Sequence, residues 1–249
     1  MRLLFPIFKR IARSFGVEQL QQRVDLLESR VQSQRVSDSM YVAIEDRFRG
    51  DHEVIKERQR KYLGFLANLP KNSTILDLGP GRGEWLELVR DHGFSAIGID
   101  TNTEFVASAK DRGLSVINCD LLEYVSSCSS GSIAAVTMFQ VAEHLPLGVL
   151  EKVLAHVHRI LQPGGLFIAE IPNIETLRVG GASFWIDPTH ERPLFPEFLV
   201  FMVERSGFVQ IQRLVSTPLS DTPPDVSAEF RLLFEQVNGP ADFAVVGFK

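Results

Sequence analysis

Cysteine is scarce in this chain, whose 249 residues include two, Cys119 and Cys128. They form neither a disulfide framework nor a metal-ligand spacing, so the sequence predicts no bound metal and favours a reducing, cytoplasmic environment. The chain also has no GxSxG and no HExxH sequence, which excludes the usual serine hydrolase and zinc protease signatures. No apolar run reaches the roughly 18 residues of a transmembrane helix, and no small-residue cleavage site follows the first residues. We therefore expect neither a disulfide-rich secreted protein nor an integral membrane protein.

Length and charge narrow the class further. With 249 residues, 45% of them apolar and 23% charged, the chain can form one domain with one sizeable core, plus an extension. The net charge is −5 and residues 1–16 carry +4, so residues 17–249 carry −9. Because phosphate binding requires a basic face, this acidic body disfavours nucleic acid as a partner.

Two amphipathic patterns stand at the N-terminus. In residues 1–16, apolar side chains recur at near-helical spacing and four cations fall mainly opposite them, which is typical of a helix on an anionic membrane surface. A frayed terminus or a helix docked on a partner protein would give the same pattern. Residues 17–33 carry a heptad seam of just over two repeats, which predicts self-association or partner binding. An amphipathic helix that packs on its own domain is the alternative for this segment. The seam residues are Val17, Leu20, Val24, Leu27 and Val31.

The most informative stretch of the sequence is TILDLGPGRG, residues 74–83. A short β-branched and aliphatic run is followed by glycines at every second position, and a helical pattern then begins at Glu84. This order predicts a strand, a tight turn and a helix. Glycine lets a ligand approach the backbone with no Cβ in the way, and the start of a helix offers unpaired N–H groups. The loop is therefore predicted to bind a small molecule.

The spacing of the glycines disfavours two common cofactors. The dinucleotide fingerprint GxGxxG has its third glycine where this chain has Glu84, so NAD is disfavoured. A phosphate loop ends in GK[ST], whereas Gly83 is followed by Glu84 and Trp85, so ATP is disfavoured as well.

Acidic residues stand at the ends of the next two predicted strands. Strand two, residues 95–99, ends at Asp100, which lies 23 residues beyond Asp77. This is about the distance at which a βαβ unit places a carboxylate on ribose hydroxyls. Strand three, residues 114–118, leads to Asp120, whose side chain could accept a hydrogen bond from an adenine amino group.

Polar residues also follow the fourth predicted strand, residues 133–138. Gln140, Glu143 and His144 come directly after it, and a helix begins near Leu147. The sequence LQPGG then leads into strand five, residues 166–171. Ligands of open α/β sheets bind outside the carboxyl ends of the strands, so all these polar side chains are expected at one edge of the sheet.

In these features the chain resembles the class I S-adenosylmethionine-dependent methyltransferases, over roughly residues 61–249. The resemblance implies an α/β, Rossmann-like, seven-stranded mixed sheet of order 3214576, with residues 243–249 as an antiparallel last strand and an N-terminal helical extension. It also implies S-adenosyl-L-methionine as the cofactor. The cofactor-binding residues it implies in the core are Asp77, Gly79, Pro80, Gly81, Gly83, Asp100, Thr101, Asp120, Leu121 and Gln140.

A narrower resemblance extends outside this core. The chain is similar to bacterial methyltransferases of O-antigen and capsule glycan synthesis, which commonly read YxxFExxFRG and DPTHxxPL. It departs from them at Ile44 and Pro80. The resemblance implies that Arg49 pairs with the methionyl carboxylate of the cofactor, and an ion pair of Arg49 with Glu45 is the alternative. The matching residues are Tyr41, Glu45, Phe48, Arg49, Gly50, Phe184, Asp187, Pro188, Thr189, His190 and Pro193.

Three residues are candidates for moving the proton of a hydroxyl acceptor. His144 follows strand four, whereas Asp187 and His190 lie in a connection of about twenty residues without periodic structure, a kind of loop that is usually functional. Phe184 and Trp185 offer flat apolar faces for stacking on a sugar ring. For each histidine, a structural hydrogen bond is the alternative role.

The sequence thus predicts three segments. Residues 1–36 form a basic amphipathic helix and a short coiled coil, residues 37–69 a helical lead-in, and residues 70–249 the methyltransferase domain. The expected activity is O-methylation of a sugar hydroxyl on a cell-surface polysaccharide or its lipid-linked intermediate, in the cytoplasm or peripherally at the inner membrane. Methylation of a small aromatic or quinone-like acceptor is one alternative, since the core also resembles ubiquinone-pathway methyltransferases. The other alternative is a non-catalytic scaffold that binds the cofactor within a glycan-synthesis complex.

Overall fold

The computed structural model describes residues 20–24, 26 and 36–249. The chain divides into two units, Met1–Ser37 and Asp38–Lys249. In the first unit, residues 20–24 and 26 are helical and exposed, and they include the seam residues Leu20 and Val24. The predicted membrane-binding segment, residues 1–16, and the other seam residues lie outside the described residues. Within the described part of the chain, no helix is both long enough and apolar enough to span a bilayer.

The second unit is built on one seven-stranded sheet of order β3-β2-β1-β4-β5-β7-β6. Strands β1 to β5 are parallel, and β7 runs antiparallel to both β5 and β6. The predicted order and the antiparallel last strand are therefore confirmed. The strands are β1 (Thr74–Leu78), β2 (Ser95–Asp100), β3 (Val116–Asn118), β4 (Ile133–Phe139), β5 (Leu161–Pro172), β6 (Val209–Val215) and β7 (Asp242–Phe248).

Helices connect the strands and precede the first of them. Three short 3₁₀ segments, Arg60–Tyr62, Ala142–His144 and Ser183–Ile186, interrupt the connections. The α-helices of the second unit are α1 (Asp38–Phe48), α2 (His52–Gln59), α3 (Leu63–Leu66), α4 (Glu84–Asp91), α5 (Thr103–Asp111), α6 (Leu121–Ser127), α7 (Leu147–Ile160), α8 (Leu177–Gly181), α9 (Pro196–Arg205) and α10 (Ala228–Asn238).

The core lies between the sheet and its helices. All seven residues of β4 are buried, as expected for a central parallel strand with both faces covered. Helix α7 buries Leu150, Val153, Leu154 and Val157, whose three-to-four spacing places them on one helix face. The helices before β1 also join the core, because Tyr62 and Leu66 are fully buried against residues of the sheet.

The connection between β5 and α9 differs from its sequence-based description. The sequence predicts about twenty residues without periodic structure, but the structure contains α8 and a 3₁₀ turn, Ser183–Ile186, in this segment. Both are only four or five residues long, too short to give a periodic apolar pattern. Strand β5 is also longer than predicted, because Leu161 pairs with Ile133 before a register shift.

Candidate functional site

The loop after β1 forms a backbone cradle. Gly79, Gly81 and Gly83 have φ angles of +71°, +51° and +83°, a region in which L side chains are strained. A Cβ on Gly79 would stand 2.5 Å from a methyl group of Val141, so this position requires glycine for packing too. A Cβ on Gly81, in contrast, would meet no protein atom within 4 Å. The loop therefore leaves open space beside Gly81, where a ligand could contact the backbone.

Asp100, at the end of β2, closes one side of this cradle. Its Oδ2 accepts a hydrogen bond from Gly81 N at 3.1 Å, and its Oδ1 accepts one from Asn102 N at 2.8 Å. Burial raises the pKa of Asp100, although the hydrogen bonds from Asn102 and Gly81 lower it. Each carboxylate oxygen has a second lone pair, so Asp100 can still accept hydrogen bonds from a ligand. Pro80, in the loop, is buried, and Thr101, which follows Asp100, is exposed.

Asp77 lies beneath the cradle and faces inward. The Thr137 hydroxyl donates to its Oδ1 at 2.7 Å, and 2% of Asp77 is exposed. Burial raises the pKa of Asp77 to about 7, and the Thr137 hydrogen bond opposes this rise. Its contacts support the loop from below, and direct binding of the cofactor by Asp77 stays a prediction.

The raised pKa of Asp77 predicts a pH dependence of stability. Between about pH 4 and pH 7 the folded chain holds a proton that the unfolded chain has lost, so stability should fall as pH rises through this window. Asp77→Asn keeps an oxygen acceptor for Thr137 and removes the titration. We expect the free energy of unfolding of this variant, measured by thermal unfolding, to fall less between pH 5 and pH 7 than that of the unmodified chain. The difference should be on the order of a few kcal/mol. Asp111→Asn, at an exposed position in α5, should leave the decline unchanged. An unaltered decline in Asp77→Asn would contradict the prediction.

The ends of β3 and β4 place three further predicted cofactor residues at the same edge. Asp120 is exposed and caps α6 by accepting from Glu123 N at 3.0 Å, and Leu121 begins that helix. Gln140 has a φ of +57°, which is uncommon for a residue other than glycine and concentrates at functional sites. Its Nε2 donates to Asp242 Oδ1 at 3.1 Å.

Helix α1 passes over this edge of the sheet. At its start, Asp38 Oδ2 accepts from the backbone N and the hydroxyl of Thr103, at 2.7 and 2.6 Å, which joins α1 to the first turn of α5. One turn later the ring of Tyr41 makes edge contacts with Phe105 and His144, with centroids 6.1 and 6.2 Å apart. The helix therefore extends from the end of β2 to the residues that follow β4.

Arg49 comes directly after α1. Its Nη1 lies 3.0 Å from Glu45 Oε2 one turn earlier, and 22% of the arginine side chain is exposed. The ion pair that the sequence offered as the alternative is therefore present. Pairing of Arg49 with a cofactor carboxylate stays a prediction.

A cavity of about 250 Å³ lies between α1, the end of β4 and the β5–α9 connection. Its wall includes the carboxylates of Glu170 and Asp242, which stand side by side on β5 and β7. The Tyr62 hydroxyl donates to Glu170, and Lys61 Nζ lies 3.4 Å from the same carboxylate. Burial raises the pKa of Asp242, and the negative charge of Glu170 raises it further. The cavity is lined by Ile44, Glu45, Phe48, Arg49, Ile55, Arg58, Gln59, Gln140, His144, Glu170, Pro172, Ser183, Phe184, Ile186, Asp187, His190, Ala241 and Asp242.

The three predicted catalytic residues meet at one wall of this cavity. The rings of His144 and His190 are 4.6 Å apart, and His190 Nε2 lies 3.9 Å from Asp187 Oδ2. Thr189 Oγ1 donates to Asp187 at 2.6 Å and lies 2.9 Å from His144 Nδ1. Burial lowers the pKa of His144, and the neighbouring His190 lowers it further, so the His144 imidazole is neutral at pH 7. The structure thus brings together residues that are far apart in the sequence.

The two aromatic residues predicted to stack on a sugar differ in exposure. Phe184 is buried, lines the cavity and packs on the His190 ring at 4.3 Å, whereas Trp185 is 62% exposed and its Nε1 donates to Gly180 O.

Several site residues have no counterpart in the sequence-based prediction. Glu170 had a detectable signal, because it is a charged residue within an apolar strand. Asp242 begins β7, and the antiparallel direction of this strand brings its first residue to the carboxyl edge of the parallel strands. Asp38 had no such signal, because its hydrogen bonds reach Thr103, 65 residues away.

The cradle fits the adenosyl and amino-acid parts of S-adenosylmethionine. The space beside Gly81 would be filled by a side chain at any other residue, and the Asp100 carboxylate faces this same loop. A sheet of order 3-2-1-4-5-7-6 with an antiparallel β7, a glycine loop after β1 and an acidic residue ending β2 together define the class I S-adenosylmethionine-dependent methyltransferases.

Comparison with known proteins gives the same class. A family model described as "Methyltransferase domain" matches residues 50–212, and the chain belongs to this family. It is 29% identical over 159 residues to a Mycolicibacterium smegmatis protein named "Probable S-adenosylmethionine-dependent methyltransferase", covering 63% of this chain and 57% of that protein. It is 32% identical over 84 residues to Escherichia coli "Uncharacterized protein YjhP", covering 33% of this chain and 34% of that protein. The chain thus spans less than two thirds of the length of either curated relative.

The fold is also similar to solved structures. A SAM-dependent methyltransferase from Archaeoglobus fulgidus superposes with a TM-score of 0.74 at 27% identity, covering 84% of this chain and 99% of that one. Residues 38–249 therefore contain a SAM-dependent methyltransferase domain, and the cofactor of the family is S-adenosyl-L-methionine.

Proposed function

We propose that this chain O-methylates a hydroxyl group of a saccharide, on a cell-surface polysaccharide or its lipid-linked intermediate. The observation that carries the proposal is the cavity beside the cofactor cradle. Its wall combines carboxylates, carboxamides and arginines with the ring of Phe184. Carboxylate oxygens and carboxamides are acceptors and donors for sugar hydroxyls, and an aromatic ring offers a face for the C–H side of a sugar.

The polarity of the cavity argues against a quinone-like acceptor. Glu170, Asp242 and Asp187 all line it, and a flat aromatic molecule would offer no donors to the acceptor positions that these carboxylates keep beyond their bonds from Tyr62, Gln140 and Thr189. Such unpaired polar groups strongly disfavour binding. The volume of about 250 Å³ lies below the usual range for drug-sized ligands, which suits a single sugar ring at the end of a longer chain.

The residues of the chain would orient the acceptor and handle its proton. S-adenosylmethionine, when bound, supplies a methyl group on a sulfonium, which requires in-line alignment and exclusion of water. Gly81 and Asp100 would hold the cofactor, and α1 would shield it from solvent. His144, His190 and Asp187 would take up the proton of the acceptor hydroxyl, because they meet at the wall of the cavity.

The N-terminal segments belong to the same proposal. Residues 1–16 would hold the protein peripherally at the cytoplasmic face of the inner membrane, close to lipid-linked acceptors. Residues 17–33 would bind a second copy or a partner of glycan synthesis. Both roles are supported by the sequence patterns alone, the cationic face of the first segment and the apolar seam of the second.

Mass spectrometry of glycans tests the acceptor. Lipid-linked intermediates and surface polysaccharide would be compared between cells that express the protein and cells that lack it. We expect one class of saccharide to lose a mass of about 14 daltons per site when the protein is missing, the mass of a methylene group. Unchanged glycans together with a methyl group missing from a quinone or another small aromatic compound would overturn the saccharide proposal.

The matched control is expression of a Gly81→Leu chain in the cells that lack the protein. This variant should fail to restore the methylated saccharide. A second arm uses a chain without residues 1–16. We expect it to leave the membrane fraction and to restore methylation poorly in cells. Equal membrane recovery of the full and the shortened chains would refute the membrane role, whatever the acceptor is.

A further inference from the structure

A buried carboxylate and two imidazoles come together next to the proposed acceptor cavity. A ring nitrogen of His144, a ring nitrogen of His190 and a carboxylate oxygen of Glu143 all lie within 4.8 Å of one another. Glu143 is fully buried, and neither of its carboxylate oxygens has a hydrogen-bond partner in the structure. An unpartnered buried carboxylate is costly, and buried charges are normally paired or bound to a metal.

The hydrogen bonds of the two histidines prepare them as ligands. His190 Nδ1 lies 2.6 Å from the carbonyl oxygen of Phe184, which can only accept, so Nδ1 carries the proton. The Thr189 hydroxyl gives its one proton to Asp187, so it accepts from His144 Nδ1. In each ring Nε2 therefore has the free lone pair. A histidine that donates its other N–H to a carbonyl or to a carboxylate relay is the usual outer shell of a metal site.

We propose that Glu143, His144 and His190 bind a divalent transition-metal ion, such as Zn²⁺, Mn²⁺ or Fe²⁺, beside the acceptor cavity. Two imidazoles and one carboxylate favour such ions over Mg²⁺ and Ca²⁺, which prefer oxygen ligands, and they leave coordination positions open. Bound ligand atoms at about 2.1 Å from the metal would stand about 3.4 Å apart in tetrahedral geometry, so from separations within 4.8 Å the site needs to contract by at most about 1.4 Å.

The surrounding charges are compatible with a cation. Asp187 Oδ2 lies 3.9 Å from His190 Nε2, and the negative charges of Asp242 and Asp187 act on Glu143. Arg49, whose positive charge also acts on Glu143, is already paired with Glu45. The sequence places Glu143 and His144 together after β4, but no pattern in it indicates that His190, from another connection, joins them.

The inference deepens the proposed function and rests on it for its chemical role. With the Nε2 lone pairs of His144 and His190 on the ion, Asp187 alone would take up the proton. A sugar hydroxyl coordinated to the ion would be more acidic and would lose its proton to the Asp187 carboxylate. Its oxygen would bond to the methyl carbon of the cofactor while the carbon–sulfur bond breaks, and the electron pair of that bond would stay on sulfur.

Binding of Co²⁺ and Zn²⁺ to the full, untagged chain tests the site without any acceptor. After treatment with a chelator, Co²⁺ titration should give visible absorption bands that saturate at one ion per chain, and Zn²⁺ should displace them. Glu143→Gln and His190→Gln should each weaken Co²⁺ binding by about 100-fold or more, and Thr189→Val by about 10- to 100-fold through the outer shell. His92→Gln is the control. The His92 ring is hydrogen-bonded to the carbonyl oxygen of Leu88, away from the site, so this variant should bind Co²⁺ normally.

Calorimetric titration with S-adenosylhomocysteine separates this inference from the proposed function. All four variants should bind it as the unmodified chain does, which also shows that they fold. Normal binding of S-adenosylhomocysteine by a chain that binds no Co²⁺ or Zn²⁺ would overturn the metal site and leave the methyltransferase proposal intact. Co²⁺ binding that is equal in Glu143→Gln and in the unmodified chain would overturn it as well.

Discussion

Gly81→Leu is expected to weaken the binding of S-adenosylhomocysteine by about 100-fold or more, which corresponds to at least about 2.7 kcal/mol. No protein atom lies within 4 Å of the Cβ position of Gly81, so the new side chain would enter the open space of the cradle. It would occupy the volume in which we expect the cofactor to contact the loop. Isothermal titration with S-adenosylhomocysteine measures the effect directly and needs no acceptor.

Gly131→Leu is a matched control for this change. Gly131 has a φ of +67°, and its Cβ position is likewise free of protein atoms within 4 Å. The two substitutions therefore introduce the same backbone strain, of the order of 1 kcal/mol. Gly131 precedes β4, at the opposite edge of the sheet from the cradle, so this variant should bind S-adenosylhomocysteine normally. Equal affinity of the two variants would show that the cofactor binds elsewhere.

Asp100→Ala is expected to weaken the binding of S-adenosylhomocysteine by roughly 10- to 1000-fold. The carboxylate would accept hydrogen bonds from the ribose hydroxyls, and a hydrogen bond to a charged group contributes about 1.5–3 kcal/mol. The variant also loses the contact that holds Gly81 N at 3.1 Å, so the loop itself becomes less ordered. The measurement is again calorimetric, at fixed pH and ionic strength.

Two further variants keep this prediction specific. Asp100→Asn keeps one oxygen acceptor without the charge and should lie between the alanine variant and the unmodified chain. Asp111→Ala, at an exposed position in the helix that follows β2, should leave affinity unchanged. Thermal unfolding identifies any variant that has lost its fold. A folded Asp100→Ala chain with normal affinity would remove Asp100 from the cofactor site.

The sheet and the glycine loop after β1 were predictable because their sequence signals are local. The run TILDL followed by alternating glycines determines a strand and a turn within ten residues, and Asp100 follows the next apolar run. The alternation of such strands with helices leaves few topologies, since crossovers between parallel strands have one handedness. The order 3-2-1-4-5-7-6 then followed from the resemblance to a known fold.

The acceptor cavity was less predictable because its wall forms through contacts between distant segments. Glu170 on β5 and Asp242 on β7 become neighbours through antiparallel pairing. Glu170 lies opposite Ala244, and Asp242 lies opposite Pro172, two residues further along β5. His144 and His190 meet because the β5–α9 connection folds back, and Glu191 N donates to Glu143 O at 2.9 Å. No pattern of composition or spacing encodes these contacts. The sequence therefore identified both histidines as candidates and placed Glu143 beside His144, but it did not indicate that His190 approaches this pair.

The attachment of α1 across the end of the sheet has a consequence for the catalytic cycle. Asp38 ties the start of this helix to Thr103, and Tyr41 lies between Phe105 and His144. A nucleoside seated against Asp100 would have this helix above it. Exchange of spent for fresh methyl donor would then require the helix to lift and the bonds of Asp38 to break, so each round of catalysis would include an opening step, which in many enzymes is slower than the chemistry.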